Sequence, residues 1–213
     1  MREVRDALIL NGLLVAAGWA TFRYLQTPML GLAVVALVIG YNLLLPMIAR
    51  GSGHGHWFDL WWFLLPLSIC QVVPDWVLSQ LIGILSFPDH GAPRIGTVPV
   101  YMAGMWVIPL FWVLLIARGS PAVAGLLALI VFAASEWAAP MFGLWRPLQV
   151  PTWHGIAHYV LLPEALLGAA AAYAYREVRS ANIITRLSAA AAVSVFYTGA
   201  LIVSYFLMQR AGL

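Results

Sequence analysis

Charge is what this sequence lacks most. Only 9% of the 213 residues are charged, lysine does not occur, and 63% of the residues are hydrophobic. A soluble domain is about 25% charged and about 45–50% apolar, and a core of this size could not bury so much apolar surface. The composition therefore argues against a soluble enzyme, a nucleic-acid-binding protein and a disordered chain, and it indicates an integral membrane protein.

Cysteine and several enzyme signatures are also missing. Cys70 is the single cysteine, which rules out an intramolecular disulfide and a multi-cysteine metal site. The sequence has no aspartate-rich pair of the kind that binds magnesium diphosphate, no G-x-G-x-x-G, no nucleophile elbow and no eight-histidine set of a membrane di-iron oxygenase. We therefore expect chemistry that needs no cofactor.

Short linkers divide the chain into seven apolar segments, with no separate soluble domain. The segments cover residues 7–25, 29–48, 58–85, 97–117, 121–144, 154–175 and 187–208. A membrane-spanning helix takes about 20 residues, so the pattern predicts an all-α fold, a single transmembrane domain over residues 1–213 with about seven transmembrane helices. The first segment lacks a cleavage motif, and we expect a retained helix there.

The arginines predict an orientation in the membrane. With seven spans, the N-terminal side collects Arg2, Arg5, Arg50, Arg118, Arg176, Arg179 and Arg186. The other side collects Arg23, Arg94, Arg146 and Arg210. By the positive-inside rule the N-terminus faces the cytoplasm and the C-terminus the outside, and we expect the cytoplasmic membrane of a bacterium or archaeon.

Three acids lie inside the apolar segments, namely Asp75, Glu136 and Glu164. A charged side chain at the bilayer centre costs about 2.5–3.5 kcal/mol, so an acid kept there predicts a function. Each acid lies ten or eleven residues from a linker on the outer side, about 15 Å or half of the hydrocarbon core. We therefore predict that the three acids meet near mid-membrane as catalytic groups. The alternative is that they only bridge helices through hydrogen bonds.

The surroundings of these acids predict a lined pocket. Ser68, Gln71, Asp75 and Ser79 have the spacing of one helical face, and aromatic faces can stabilise a cation. An apolar site favours the neutral form of a carboxyl, which makes it a Brønsted acid suited to protonating an isoprenoid double bond. The expected substrate-binding residues are Gln71, Ser79, Tyr101, Trp106, Trp137 and His158.

Two proline-rich linkers on the outer side, 86–96 and 145–153, predict rigid loops that cap the pocket. The expected loop or gate residues are Asp89, His90, Arg94, Trp145, Arg146 and His154. His154 and His158 are spaced i, i+4, and with a carboxylate they could hold zinc or iron. We favour hydrogen-bonding histidines at the pocket mouth and predict no metal.

Part of the chain resembles a known family. Phe87-Pro88 and Gly91, then Gly96-Thr97-Val98-Pro99, then Ile108-Pro109 and Trp112 are similar to elements of the membrane carotenoid hydratases of bacteria and archaea. In that resemblance Asp75 corresponds to the acid that precedes the loop. Glu136, which precedes Trp145, corresponds to a second acid of that family. Asp89-His90 replace an aromatic-glycine pair of that family, which leaves the substrate open.

The general plan also resembles the integral membrane terpene cyclases of meroterpenoid pathways. Both resemblances imply acid-initiated isoprenoid chemistry, and we expect hydration or cyclisation of an isoprenoid lipid. Asp75 and Glu136 would serve as general acid and base, with Glu164 third. The expected partners are this substrate and membrane lipids, without nucleic acid. Three alternatives stay open: a metal-dependent membrane hydrolase using His154 and His158, a lipid- or pigment-binding subunit without activity, and a proton-coupled transporter.

Overall fold

The computed structural model describes residues 2–211, and the side chains of residues 3–210 among them. This part of the chain is mostly helical with little strand, as an all-α fold requires. The side chain of Arg2, which was counted for the orientation, lies outside the described residues, as do the two ends of the predicted domain.

The helices follow one another through the chain with few interruptions. They are α1 (Arg2–Tyr24), α2 (Met29–Gly51), α3 (Gly55–Cys70), α4 (Val72–Trp76), α5 (Met102–Met105), α6 (Val107–Ala117), α7 (Pro121–Phe142), α8 (His158–Val178) and α9 (Ile183–Ala211). A π-helical segment, Val77–Ile82, continues α4. The predicted third segment is therefore three consecutive helical pieces.

Three short antiparallel strand pairs occupy the loops. They are β1 (Leu85–Ser86) with β4 (Arg146–Pro147), β2 (Arg94–Ile95) with β3 (Val98–Pro99), and β5 (Thr152–Trp153) with β6 (Ile156–Ala157). We call the loop segments 84–99 and 144–157 together the cap. Pairing of β1 with β4 joins its two halves, so the two proline-rich linkers form one structure.

Five helical stretches of the described chain are long and apolar enough to cross a membrane. They are Glu3–Tyr24, Met29–Gly51, Gly55–Ile82, Pro121–Phe142 and Ile183–Arg210. Of the other two predicted segments, Met102–Ala117 is a shorter apolar stretch, and α8 is long enough but is not among the five helices.

Small residues bring α7 and α8 into close contact. A Cβ added at Gly168 would overlap the backbone of Ala124 and the side chain of Ala128, and one at Gly125 would press on the backbone of Ala165. Glycine and alanine at an interface let two helix backbones approach closely. This contact fixes the positions of Glu136 on α7 and Glu164 on α8 relative to each other.

Hydrogen bonds fix the cap to the helix ends. His90 donates from Nε2 to the carbonyl of Gly143 at 2.7 Å, while the carbonyl of His90 accepts from the N–H of Gly31 at 2.7 Å. Gly143 has a positive φ and ends α7, as is common at helix C-termini. The cap is thereby tied to both α2 and α7.

Candidate active site

A cavity of about 460 Å³ lies beneath the cap, inside the helical bundle. Its walls come from α1, α2 and α4–α9 and are mainly aliphatic and aromatic. The side chains of Asp75, Glu136 and Glu164 all line it. The structure therefore brings these three acids, contributed by α4, α7 and α8, to one apolar space.

The acids lie closer to the cap than the residue count suggested. Glu136 is six residues before the end of α7, and Glu164 is six residues after the start of α8, which is about 9 Å at 1.5 Å per residue. The estimate of about 15 Å was wrong for these two acids because it counted linker residues as helix. Glu136 and Glu164 are equally far from the helix ends that adjoin the cap.

Asp75 is held by an indole. Its side chain is buried, and its Oδ2 accepts from Trp106 Nε1 at 3.3 Å. The ring of Trp106 lies against Phe132 with centroids 5.2 Å apart and against Tyr197 with centroids 5.8 Å apart. A carboxyl and a group of three aromatic rings thus share one wall of the cavity.

Glu136 and Glu164 differ in their hydrogen bonds. Oε1 of Glu136 accepts from Trp145 Nε1 of the cap at 2.8 Å. Glu164 is buried, and its Oε2 has no hydrogen-bond partner among the described residues. A buried oxygen without a partner is costly, so Glu164 offers a group that a ligand or a water molecule in the cavity would satisfy.

Of the expected substrate-binding residues, the structure places only Trp106 on this cavity. Gln71 is fully buried outside the lining, and both polar atoms of its side chain lack a partner among the described residues. Ser79 donates to the Asp75 carbonyl at 2.7 Å and pairs with Thr97 Oγ1 at 2.6 Å. Gln71 and Asp75 are one turn apart, since the N–H of Asp75 donates to the carbonyl of Gln71 at 3.3 Å, but of the predicted face only Asp75 lines the cavity.

The predictions for Trp137, Tyr101 and His158 are corrected as well. Trp137 is 52% exposed on a face of α7 that does not line the cavity, because the residue after Glu136 is turned about 100° around the helix. Tyr101 is buried away from the cavity lining. His158 lies at the first position of α8 beside a small separate pocket near Tyr205.

The expected gate residues build the cap. Asp89 accepts from the N–H of Gly91 at 2.9 Å, and Arg94 donates to the carbonyls of Phe87, Pro88 and Thr97 at 2.8–3.0 Å. Arg146 is exposed in β4, and Trp145 lines the cavity. These side chains stabilise the loops internally, and only Trp145 contacts an acid through a hydrogen bond recorded in the described chain.

The histidine pair has a different geometry from the expected one. His154 occupies the turn between β5 and β6 with a φ of 50°, whereas α8 begins only at His158. The two rings therefore do not share a helical face, and the i, i+4 interpretation was wrong. Among the described residues, no group of three or more His, Cys, Asp or Glu side chains could hold a metal ion.

Sequence reasoning missed several residues of the cavity wall. Tyr197 lines the cavity, as do Leu14, Val15 and Gly18 of α1. The spacing of Ser194, Tyr197 and Thr198 within the otherwise apolar stretch 189–203 of α9 was the available signal for Tyr197. The α1 residues carry no such signal, because apolar residues that face a cavity and those that face lipid look alike in sequence.

Comparison with known proteins gives a family. The model of a family described as "Domain of unknown function (DUF6989)" matches residues 72–208, more than half of the chain. The matched region contains the three acids, while α1 lies outside it. No curated protein and no solved structure matches the chain.

Proposed function

The chain belongs to the DUF6989 family, and from the chemistry of its cavity we propose that it is an integral membrane enzyme acting on an isoprenoid lipid. The enzyme protonates a carbon–carbon double bond and completes the reaction by hydration or cyclisation, without a cofactor. The observation that carries this proposal is that three carboxyl groups line one cavity whose other walls are almost entirely apolar and aromatic.

The cavity supplies what such a reaction requires. Three carboxyl groups in one apolar space cannot all be ionised at low cost, so a protonated carboxyl is available as an acid. Aromatic faces stabilise a nearby cation, and the ring of Trp106 lies beside Asp75 and packs against the rings of Phe132 and Tyr197. An acid and cation-stabilising rings on one wall favour a reaction through a carbocation.

The chemical step balances without an added oxidant or reductant. The O–H bond of a carboxyl breaks, its proton adds to one alkene carbon, and the π-electron pair forms the new C–H bond and leaves a cation on the other carbon. In hydration, a water oxygen bonds to that carbon and gives a proton to a carboxylate. In cyclisation, a second double bond attacks the cation, and a neighbouring C–H proton goes to a carboxylate.

We assign Asp75 as the general acid, Glu136 as the base, and Glu164 as a third group near the reacting atoms. Asp75 is buried beside the aromatic wall. Glu136 lies at the cap, where its partner is Trp145. The resemblance of residues 75–153 to carotenoid hydratases suggests the same pair and is a separate reason for this assignment.

The deciding experiment is turnover by isosteric variants of the acids. The purified protein in lipid vesicles is supplied with linear carotenoids and prenylated aromatics, and the extracted lipids are analysed by mass. A gain of one water identifies hydration, and an unchanged mass with altered retention identifies cyclisation. Asp75→Asn is expected to lower turnover at least about 10²-fold, the usual range for a lost general acid.

Matched controls are available in the same chain. Asp59→Asn and Glu177→Gln change acids that lie outside the cavity and about half-exposed, and both are expected to keep full turnover. Thermal unfolding in detergent checks that Asp75→Asn is folded. Full activity of Asp75→Asn, or no product from any isoprenoid with the wild-type protein, contradicts the proposal.

The other classes make different predictions in the same assay. A metal-dependent hydrolase would contain stoichiometric metal and lose activity with a chelator, whereas the proposed enzyme does neither. A lipid- or pigment-binding subunit would retain the isoprenoid unchanged in mass and retention. Formation of product therefore separates the proposed enzyme from a binding subunit.

We also propose that the chain crosses the membrane seven times with its N-terminus in the cytoplasm. The two additional membrane-spanning segments are the shorter stretch Met102–Ala117 and α8, which are apolar over most of their length. The arginine asymmetry supports this orientation. The cavity would then lie toward the outer side of the cytoplasmic membrane of a bacterium or archaeon, beneath the cap.

A further inference from the structure

We propose that the hydrocarbon chain of the substrate leaves the cavity sideways through an opening between α1 and α7. The substrate is accordingly a linear isoprenoid lipid that is longer than the cavity and extends into the bilayer while its end reacts. This inference rests on the proposed function and specifies the substrate class and the route by which the substrate reaches the acids.

The cap covers one end of the cavity. Leu85 and Pro147, which pair across β1 and β4, both line the cavity from above. Phe87 and Trp145 line it from the same side, and Trp145 is tied to Glu136. A substrate coming from water would have to displace paired backbone, and we infer that it comes from the membrane.

The side of the cavity between α1 and α7 is open. Val15 and Phe142 line the cavity, yet their side chains are 70% and 40% exposed. The two helices meet near the cap through the rings of Phe22 and Phe142, whose centroids are 5.2 Å apart. Farther from the cap, a Cβ at Gly18 would find no atom within 4 Å, so the space beside this residue of the cavity lining is unfilled.

The opening is long and apolar, which fits a chain. Lining residues run from Asn11 to Phe22 on α1 and from Val131 to Phe142 on α7, about 16 Å along each helix. Both helices are long and apolar enough to cross a membrane, so the opening faces hydrocarbon. A linear isoprenoid can lie along this opening, with its reacting end at the acids and the remainder among lipid chains.

Gly18 provides the test, and Gly12 is its matched control. Both are glycines of α1 with no atom within 4 Å of an added Cβ, but only Gly18 lines the cavity. Gly18→Phe is expected to narrow the opening, since the space around an added Cβ there is empty, whereas Gly12→Phe is expected to leave the opening unchanged. Turnover is measured with a short linear isoprenoid of monoterpenoid length and with a carotenoid, each carrying the same reactive end.

Gly18→Phe is expected to lower kcat/KM for the carotenoid at least about tenfold more than for the short isoprenoid, since only the long chain must pass Gly18. Gly12→Phe is expected to leave both values within about twofold. Equal loss for the two substrates, or no loss for either, overturns the proposed route. Thermal unfolding of both variants in detergent shows whether a loss reflects folding.

A second measurement does not depend on turnover. A long-chain polyprenol with a diazirine midway along its chain is photolysed with the wild-type protein in vesicles, and the labelled residues are located by mass. Labels on α1 and α7 within 11–22 and 131–142 support the route, and Gly18→Phe is expected to reduce them. Labels confined to the cap, or absent, overturn it. An active Asp75→Asn with labelled α1 would instead contradict the proposed function and leave the route intact.

Discussion

At the scale of single residues, Trp106 is the side chain that donates a hydrogen bond to Asp75, the proposed general acid. Its N–H donates to Asp75 Oδ2 at 3.3 Å, and its ring contacts Phe132 and Tyr197. Trp106→Phe keeps a ring and removes the N–H. We expect kcat to fall about tenfold, the size of a lost hydrogen bond of roughly 1.4 kcal/mol, with a small change in thermal stability.

The control for this prediction is Trp137→Phe. Trp137 follows Glu136 directly but is 52% exposed and lies outside the cavity lining. The same chemical change there is expected to leave kcat unchanged. Equal losses in the two variants would show that the effect of Trp106→Phe comes from a general perturbation of the bundle.

Single residues also show where sequence reasoning succeeds. The three acids were identified because charge is scarce and its insertion is costly, and each was expected within an apolar segment. Trp137 was assigned to the cavity wrongly, because its depth in the segment was used without the rotation of the helix. Tyr197 was missed, since which face of α9 turns inward depends on packing against other helices.

At the scale of helices and loops, the close contact of α7 and α8 determines the relative positions of Glu136 and Glu164. A Cβ at Gly168 would overlap the Ala124 backbone and Ala128. Gly168→Ala is therefore expected to cost about 1–3 kcal/mol through overpacking and to lower the apparent Tm by several degrees. Turnover should fall too, because the two carboxyl groups move apart. Thermal unfolding and kcat are measured on the same preparation.

Gly199→Ala is the matched control for Gly168→Ala. Gly199 lies inside α9, and an added Cβ there has no atom within 4 Å. Alanine favours helix over glycine by up to about 1 kcal/mol, so Tm should stay the same or rise. A similar decrease of Tm in both variants would contradict the role of the α7–α8 contact.

The cap depends on a second close approach, between α2 and the loop that follows β1. Gly31 donates its N–H to His90, and a Cβ at Gly31 would overlap the backbone of His90 and Ala92. Gly31→Ala is expected to loosen the cap and to increase proteolysis within residues 84–99 in detergent. Gly40→Ala, on the same helix with no atom within 4 Å, should leave the cleavage rate unchanged.

Element boundaries were predictable only where the sequence carries a helix signal. The expected segment 121–144 agrees closely with α7 (Pro121–Phe142), where Ser120 caps the start and Gly143 the end. The expected segment 154–175 begins too early, because residues 152–157 form the β5–β6 pair before α8 starts at His158. Hydropathy alone does not distinguish a short hairpin from the first turn of a helix.

At the scale of the whole molecule, contacts between distant segments assign the helix ends to two sides. The start of α1 lies beside the α2–α3 connection, because Trp57 donates to Glu3 at 2.7 Å and His54 contacts Asp6 at 3.0 Å. The end of α1 lies at the cap, where Phe22 meets Phe142. Within the described chain, the last turns of α9 also lie near the cap, beside Pro151 and His158.

These contacts lead to a prediction about the two termini. The start of α1 and the end of α9 lie at opposite ends of the bundle, which agrees with the odd number of membrane crossings proposed above. By the positive-inside rule, the excess of arginine on the N-terminal side predicts that this side faces the cytoplasm. In intact spheroplasts, protease is therefore expected to remove an epitope tag at the C-terminus and to spare one at the N-terminus.

Permeabilised cells, in which both tags are cleaved, provide the control. Equal protection of the two tags in intact spheroplasts would mean an even number of crossings and contradict the seven-span arrangement, whereas loss of only the N-terminal tag would reverse the orientation and keep the odd number.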